Sequence, residues 1–205
     1  AISNSNDHSA FRLSYTHYDQ NGLVPNNNVK RHTFSTNSSY TINQWLEASV
    51  SASYVKTKST NRPYLGYGRE TPMYFFIWLP QSHNINSYRD YWQPGLEGLH
   101  QFQGNYGENH NNPYFYQYEN TSGQDKDKFF GNLKLDVGFN DHLKLIVRGG
   151  IDFYNDFRPR QMAYSTADYP QGFYEEVDLR FQENNYDALL SYQPEMGSDF
   201  GVMAN

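Results

Sequence analysis

The sequence contains no cysteine, which excludes a disulfide scaffold and any cysteine-held metal or redox centre. No stretch approaches the ~18 apolar residues of a membrane-crossing helix, so a helical membrane protein is excluded. Basic charge is scarce: 16 Lys and Arg stand against 22 Asp and Glu, a formal net charge of −6. Nucleic acid is therefore not an expected partner, because neutralising phosphates takes clustered Lys and Arg. The first ten residues, AISNSNDHSA, carry no apolar run of the kind a signal peptide needs. In a secreted protein this sequence is expected to start well inside the chain.

Aromatics are abundant. Tyr occurs 19 times and Phe 14 times in 205 residues, which argues against disorder. Rings with a polar tip suit a boundary between an oily and a wet medium. The stretch from Lys30 to Lys58 gives this composition a direction. His32, Phe34, Thr36, Ser38, Tyr40 and Ile42 alternate with Thr33, Ser35, Asn37, Ser39 and Thr41. After a turn at Asn43-Gln44, Leu46, Ala48, Val50, Ala52 and Tyr54 alternate with Glu47, Ser49, Ser51 and Ser53. Side chains on a strand point to opposite faces with period two, so each strand has one oily and one wet face. The runs exceed the ~5–6 residues of an ordinary strand. They match the ~9–11 tilted residues of a strand that crosses a bilayer. Such strands place apolar residues toward lipid, polar ones toward a watery lumen and aromatics near the ends.

The same alternation recurs along the chain. Ala1 to Ser9 reads as polar and turn-like, and Phe11, Leu13 and Tyr15 open a first strand that ends at Asp19-Gln20-Asn21-Gly22. From about Thr60 to Gln124 it disappears, and Pro63, Pro72, Pro80, Pro94 and Pro113 exclude a central strand. This is read as one long outer loop, with a turn of helix at Asn86 to Tyr91. Phe129 to Phe139 and Leu143 to Tyr154 form two more strands around a tight turn at Asn140-Asp141, with Gly149-Gly150 marking a bend or bulge. Asp156 to Glu176 reads as another loop, because Pro159, Pro170 and Gly172 interrupt it. Val177 to Tyr192 is a sixth strand, Pro194 to Asp199 a short turn, and Phe200 the opening of a seventh. Short turns at Asn43, Asn140 and Gly197 fall on one rim, and the long loops on the other. The reading is an all-β, antiparallel transmembrane barrel segment, residues 1–205 belonging to one barrel domain. About six strands cannot close a barrel with a lumen, since ~8 are needed for a small one. The sequence is thus expected to be a segment of a larger protein.

Five segments carry a resemblance: FRLSYTHYDQNGLVPNNNVKRHTF, FFIWLPQSHNINSYRDYW, NNPYFYQYEN, DKDKFFGNLKLDVGFNDHLKL and GGIDFYNDF. In this order and spacing the chain resembles the barrel of SusC/RagA-type TonB-linked outer-membrane transporters of Bacteroidota, over nearly its whole length. The resemblance implies a 22-stranded barrel with an N-terminal plug that lies outside this chain. It implies import of a glycan or peptide driven through TonB, and a SusD-type surface lipoprotein as a lid on the outer loops. It implies no cofactor, no metal and no catalytic residue.

Substrate or lid contact is expected in the long loop, at Tyr88, Arg89, Asp90, Tyr91, Trp92, Tyr114 and Tyr116, with Tyr118 beside them. Aromatic faces next to polar groups suit sugars or peptides, while long ordered loops also need aromatics for small cores of their own. His83, His100 and His110 lack metal-ligand spacing. Asp90, Glu97 and Glu108 have no fixed separation of the kind a glycosidase pair requires. Tyr40, Tyr54, Tyr186 and Tyr192 read as girdle residues. Two other classes remain open: a soluble secreted all-β carbohydrate-binding module, and a glycan-cleaving enzyme.

Overall fold

The computed structural model describes residues 1–62, 64, 66–104 and 109–193. Eight antiparallel strands form one open sheet: β1 (Ile2–Ser5), β2 (Ser9–Asn21), β3 (Asn28–Asn43), β4 (Leu46–Ser59), β5 (Thr121–Ser122), β6 (Gln124–Gly138), β7 (Leu143–Thr166) and β8 (Tyr169–Tyr192). Neighbours run β1-β2-β3-β4-β6-β7-β8, with the short β5 also on β7. Two helices, α1 (Pro72–Trp78) and α2 (Pro113–Glu119), and a 3-10 turn at Ile85–Tyr88 lie in the 60–123 connection.

The register aligns the oily faces. Tyr15, Phe34, Tyr54, Phe129 and Phe153 lie in one cross-strand row. Tyr15 and Phe34 rings are 4.7 Å apart, and Phe129 and Phe153 5.6 Å, a spacing at which rings attract. One step outward the same face turns polar, with His17, His32, Lys56 and Asp127 in register. In the other direction it carries Leu13, Val50, Leu133, Leu135, Val147 and Leu190 down to Tyr40, Phe139 and Tyr192. Among the described residues, no Asp, Glu, Lys or Arg stands on this face between the two aromatic levels. Ten residues separate Phe129 from Phe139; at ~3.4 Å each and a tilt of ~35–45° this is ~25 Å of height, the thickness of an outer-membrane apolar band.

The opposite face is wet. Ser35 and Ser53 are hydrogen-bonded at 2.7 Å, and the charges there pair: Lys128 with Asp152 at 2.9 Å, Lys134 with Asp136 at 2.9 Å and Arg148 with Asp187 at 2.8 Å. No second sheet or helix layer covers either face among the described residues. Their fully buried residues fall between Ser59 and Ala167, above the aromatic row.

The short turns share a rim as the sequence suggests, but among the described residues the other rim has one long connection, between β4 and β6, while β7 and β8 join through Ala167-Asp168. The Gln44-Trp45 and Asn140 turns share a rim, where Gly138 N donates to Trp45 O at 2.8 Å. Asn140 Oδ1 accepts from His142 N and Leu143 N, both at 2.9 Å. Four expectations are corrected. Ala1 to Ser9 is not all turn: Ile2 pairs with Leu13, and Asn6 Oδ1 accepts from Ser9 N at 2.7 Å to fold the chain back. The 156–176 stretch is not a loop but the upper part of a hairpin, with β7 and β8 each 24 residues long. Pro159 is tolerated because its carbonyl accepts from Gly123 N at 2.9 Å, in the break between β5 and β6, where no ladder donor is needed. The sixth strand accordingly starts at Tyr169 rather than Val177. Gly149-Gly150 makes no bulge; the register runs through both, and the Tyr186 ring lies 3.4 Å from where a Gly149 Cβ would stand. Pro63, Glu108, the Pro194–Asp199 turn and the Phe200 strand lie outside the described residues.

Asp156 marks the junction of wall and loops. Its carboxylate is fully covered and accepts from Gln124 Nε2 at 2.8 Å and Arg158 at 2.6 Å, with Lys126 at 3.8 Å. Asp156→Ala leaves these partners unpaired and is expected to cost about 2–3 kcal/mol in urea unfolding of the intact protein; the exposed Asp187→Ala is expected to change little.

Candidate functional site

The loop between β4 and β6 folds into a cap. Each helix begins at a polar residue followed by proline. Thr71 Oγ1 accepts from Tyr74 N at 3.2 Å, and Pro72 fills the first turn. Asn112 Oδ1 accepts from Tyr114 N at 2.9 Å and Phe115 N at 3.3 Å, and Pro113 follows. Capping satisfies orphan donors, and proline gives up a donor that is orphaned anyway.

The interior is built from amides as much as rings. Asn112 is wholly buried, and its Nδ2 donates to Tyr88 O at 2.9 Å and Phe102 O at 2.8 Å. Gln101, also wholly buried, donates to Asn111 Oδ1 at 2.9 Å and Ser165 O at 2.5 Å, and accepts from Asn112 N at 2.8 Å. Phe115 sits against Trp92 edge-on at 5.1 Å, and Phe75 against Tyr88 at 5.1 Å.

The upper β7–β8 hairpin is strapped to this interior. Asn120 Oδ1 accepts from Ala163 N at 2.8 Å and Asn111 Oδ1 from Ala167 N at 2.7 Å. Arg69 pairs with Asp168 at 2.6 Å and Arg160 with Glu70 at 3.0 Å. Arg160 also lies over the rings of Tyr64 at 5.3 Å and Phe173 at 5.6 Å.

The seven contact candidates divide. Tyr88 and Tyr116 are 2% and 5% exposed and belong to the cap's core. Burial above all pushes the Tyr116 hydroxyl upward. Tyr91 donates to Glu119 Oε1 at 2.8 Å and stacks on Tyr118 at 6.1 Å. Its hydroxyl is pushed up to about 12, by burial first and the Glu119 bond second. Trp92 is half-buried on Phe115. Arg89 and Asp90 are exposed, and Arg89 lies 5.8 Å from the centre of the Tyr114 ring. The structure therefore leaves Arg89 and Asp90 on the surface, Tyr91, Trp92 and Tyr114 half-buried, and Tyr88 and Tyr116 inside.

His110 stacks on Tyr74 at 5.2 Å, and His100 Nδ1 faces Gln101 O at 2.9 Å. Glu97 accepts from Gly95 N at 3.0 Å; its own and the Gly95 N–H hold its carboxyl below the usual range. The amides Gln101, Asn111, Asn112 and Asn120 are absent from the candidates read out of the sequence. The Thr71-Pro72 and Asn112-Pro113 pairs were the available signal for both helices.

Two outcomes are expected. Asn112→Ala strips partners from two buried carbonyls and two N–H groups, a local loss of about 2–4 kcal/mol. Limited proteolysis should then cut between residues 66 and 104 while β2–β4 and β6–β8 stay protected. Tyr91 favours the folded state fully below the ordinary tyrosine value of ~10, and that contribution is lost as pH rises toward about 12. Tyrosinate absorbance of wild type minus Tyr91→Phe should show this late-titrating group.

No family model matches the sequence, and no curated protein matches it. Solved structures do. A structure of the RagAB peptide transporter aligns with 98% of this chain at a TM-score of 0.75 and 17% identity. Structures of the RagAB peptide importer in closed-closed and open-open states align with 98% and 95% of it, at TM-scores of 0.70 and 0.69 and 15% and 17% identity. The chain spans only 21–22% of the chains it matches. At this identity the likeness is one of fold, and the resemblance to SusC/RagA-type transporters is met by a shared architecture: the chain has the fold of a barrel-wall segment found in the RagAB structures.

Proposed function

We propose that the chain is wall and outer loop of an outer-membrane barrel that imports a nutrient. The observation that carries this is the uncharged face between two aromatic levels, ~25 Å high, with no layer packed on it. An apolar face of that extent is stable only against hydrocarbon or a second layer. The backbone edge of β8, 24 residues long, argues for further strands beside it, since unpaired backbone in lipid costs several kcal/mol per group. A plug inside the larger barrel, TonB as the energy source and a SusD-like lipoprotein over the cap complete the reading. The cargo is a glycan or a peptide, and the names of the matched transporters favour a peptide. The exposed Arg89 and Asp90, with the half-buried Tyr114 beside Arg89, are the candidate groups of the cap offered to cargo or lid. The carbohydrate-binding module is disfavoured because such a module has to seal its Leu, Ala and Val rows inside.

The intact protein is expected to run as a heat-modifiable band and to require detergent. Leu133, midway between Phe129 and Val137, faces outward, and its neighbour Asn132 faces the other way. Leu133→Arg should weaken folding into lipid vesicles by about 2–4 kcal/mol, and Asn132→Arg by far less. Equal costs for the two, or a freely soluble monomer, would overturn the proposal.

A further inference from the structure

On the cap side of the aromatic row, the outward face carries two rows of ionisable residues. His17, His32, Lys56 and Asp127 are in register, and beyond them Asp19, Lys30, Lys58 and Asp125. At the other end of the apolar band the last full row is Leu46, Val137, Leu145 and Leu190, without a charge. The two rims of the wall thus meet different surroundings. Most of the cap-side charges cancel within the sheet. Lys30 reaches Asp19 at 3.3 Å, Lys56 is held by Asp125 and Asp127, and Arg180 by Asp178 at 3.0 Å. Lys58 is exposed and has no anionic partner among the described residues. It also stands directly opposite Lys30 in the β3–β4 ladder, where like charges with Cβ atoms ~4.5–5.5 Å apart destabilise the pair. Two ring residues locate these lysines. Tyr15 Oη lies 2.8 Å from His32 Nδ1, and Tyr54 donates to Asp127. A tyrosine with its ring in oil and its hydroxyl in a polar layer marks the edge of the hydrocarbon. Lys30 lies four residues beyond Phe34, ~10 Å of height at a tilt of ~35–45°, and a side chain as long as lysine extends from there to a headgroup.

We propose that Lys30 and Lys58 bind the phosphate of an anionic lipid headgroup in the leaflet on the cap side. A phosphate carrying more than one negative charge offsets both ammonium groups at once, and lysine serves phosphate as a point charge. The protein's own carboxylates do not fill this place: Asp125 is next to Lys58 in the row but is taken by Lys56. The remaining lysines of the wall do not compete, because Lys128 and Lys134 are paired with Asp152 and Asp136 on the opposite face. The site rests on the barrel reading and adds a lipid partner to it, on the outside of the wall and apart from the cap.

The test uses the intact outer-membrane protein in a neutral detergent, titrated with phosphatidic acid, whose phosphate is a monoester, and with phosphatidylcholine, which is neutral overall. Native mass spectrometry reads the lipid retained. Wild type should retain phosphatidic acid in preference to phosphatidylcholine. Lys58→Gln should weaken that retention about fivefold, and Lys30→Gln together with Lys58→Gln about thirtyfold. Lys58→Arg should keep it, and Lys134→Gln on the wet face should leave it unchanged. Because Lys58→Gln removes a like-charge pair, it should fold into phosphatidylcholine vesicles at least as well as wild type, which separates a lost lipid contact from a damaged wall. Equal retention by wild type and both glutamine variants overturns the site and leaves the barrel reading standing, as does displacement of the lipid by an equal concentration of inorganic phosphate. A wild-type protein that folds into vesicles of neither lipid overturns both.

Discussion

Register is the constraint on which this structure depends. Across β2, β3, β4, β6 and β7 the strands pair so that Tyr15, Phe34, Tyr54, Phe129 and Phe153 stand in one row. A slip of one residue in any strand would turn its oily side chains to the wet face. Thr36, Ser38 and Gly131 on the oily face show that no single position decides the matter. The ladder as a whole holds the pattern.

The cap answers the opposite problem. It has too little apolar material for an ordinary core, with Phe75, Tyr88, Phe115 and Tyr116 its main buried rings. Amides fill the gap by bonding to main-chain groups that the irregular backbone leaves unpaired. A polar interior of this kind fixes one arrangement, because a small shift unpairs several groups together. The wall is specified by a repeating pattern and the cap by individual bonds.

That difference explains what could be read from the sequence. Period-two alternation made β2, β3, β4, β6 and the lower part of β7 legible, and Asn140-Asp141 announced its turn. The upper hairpin was hidden because Pro159, Pro170 and Gly172 look like loop residues; the break at Gly123 that accommodates Pro159 depends on a contact 36 positions away. In the cap, Tyr88 and Tyr116 carry the same side chain as Tyr118, and only three-dimensional packing separates core from surface. The amides were illegible for a similar reason: Asn and Gln are common in exposed loops, and their burial here depends on partners in distant segments such as Ala163 and Ala167.

The hairpin of β7 and β8 has a mechanical consequence. Its tip is fastened to the cap through Asn111, Asn120 and Gln101, and its base at Leu143 reaches the opposite rim. Each strand is 24 residues long, or ~80 Å at full rise. A pull on the cap therefore acts along two strands in tension, the direction in which an extended backbone yields least. Cap and opposite rim are thus joined by two continuous strands, with the His142–Gln193 contact at the far end.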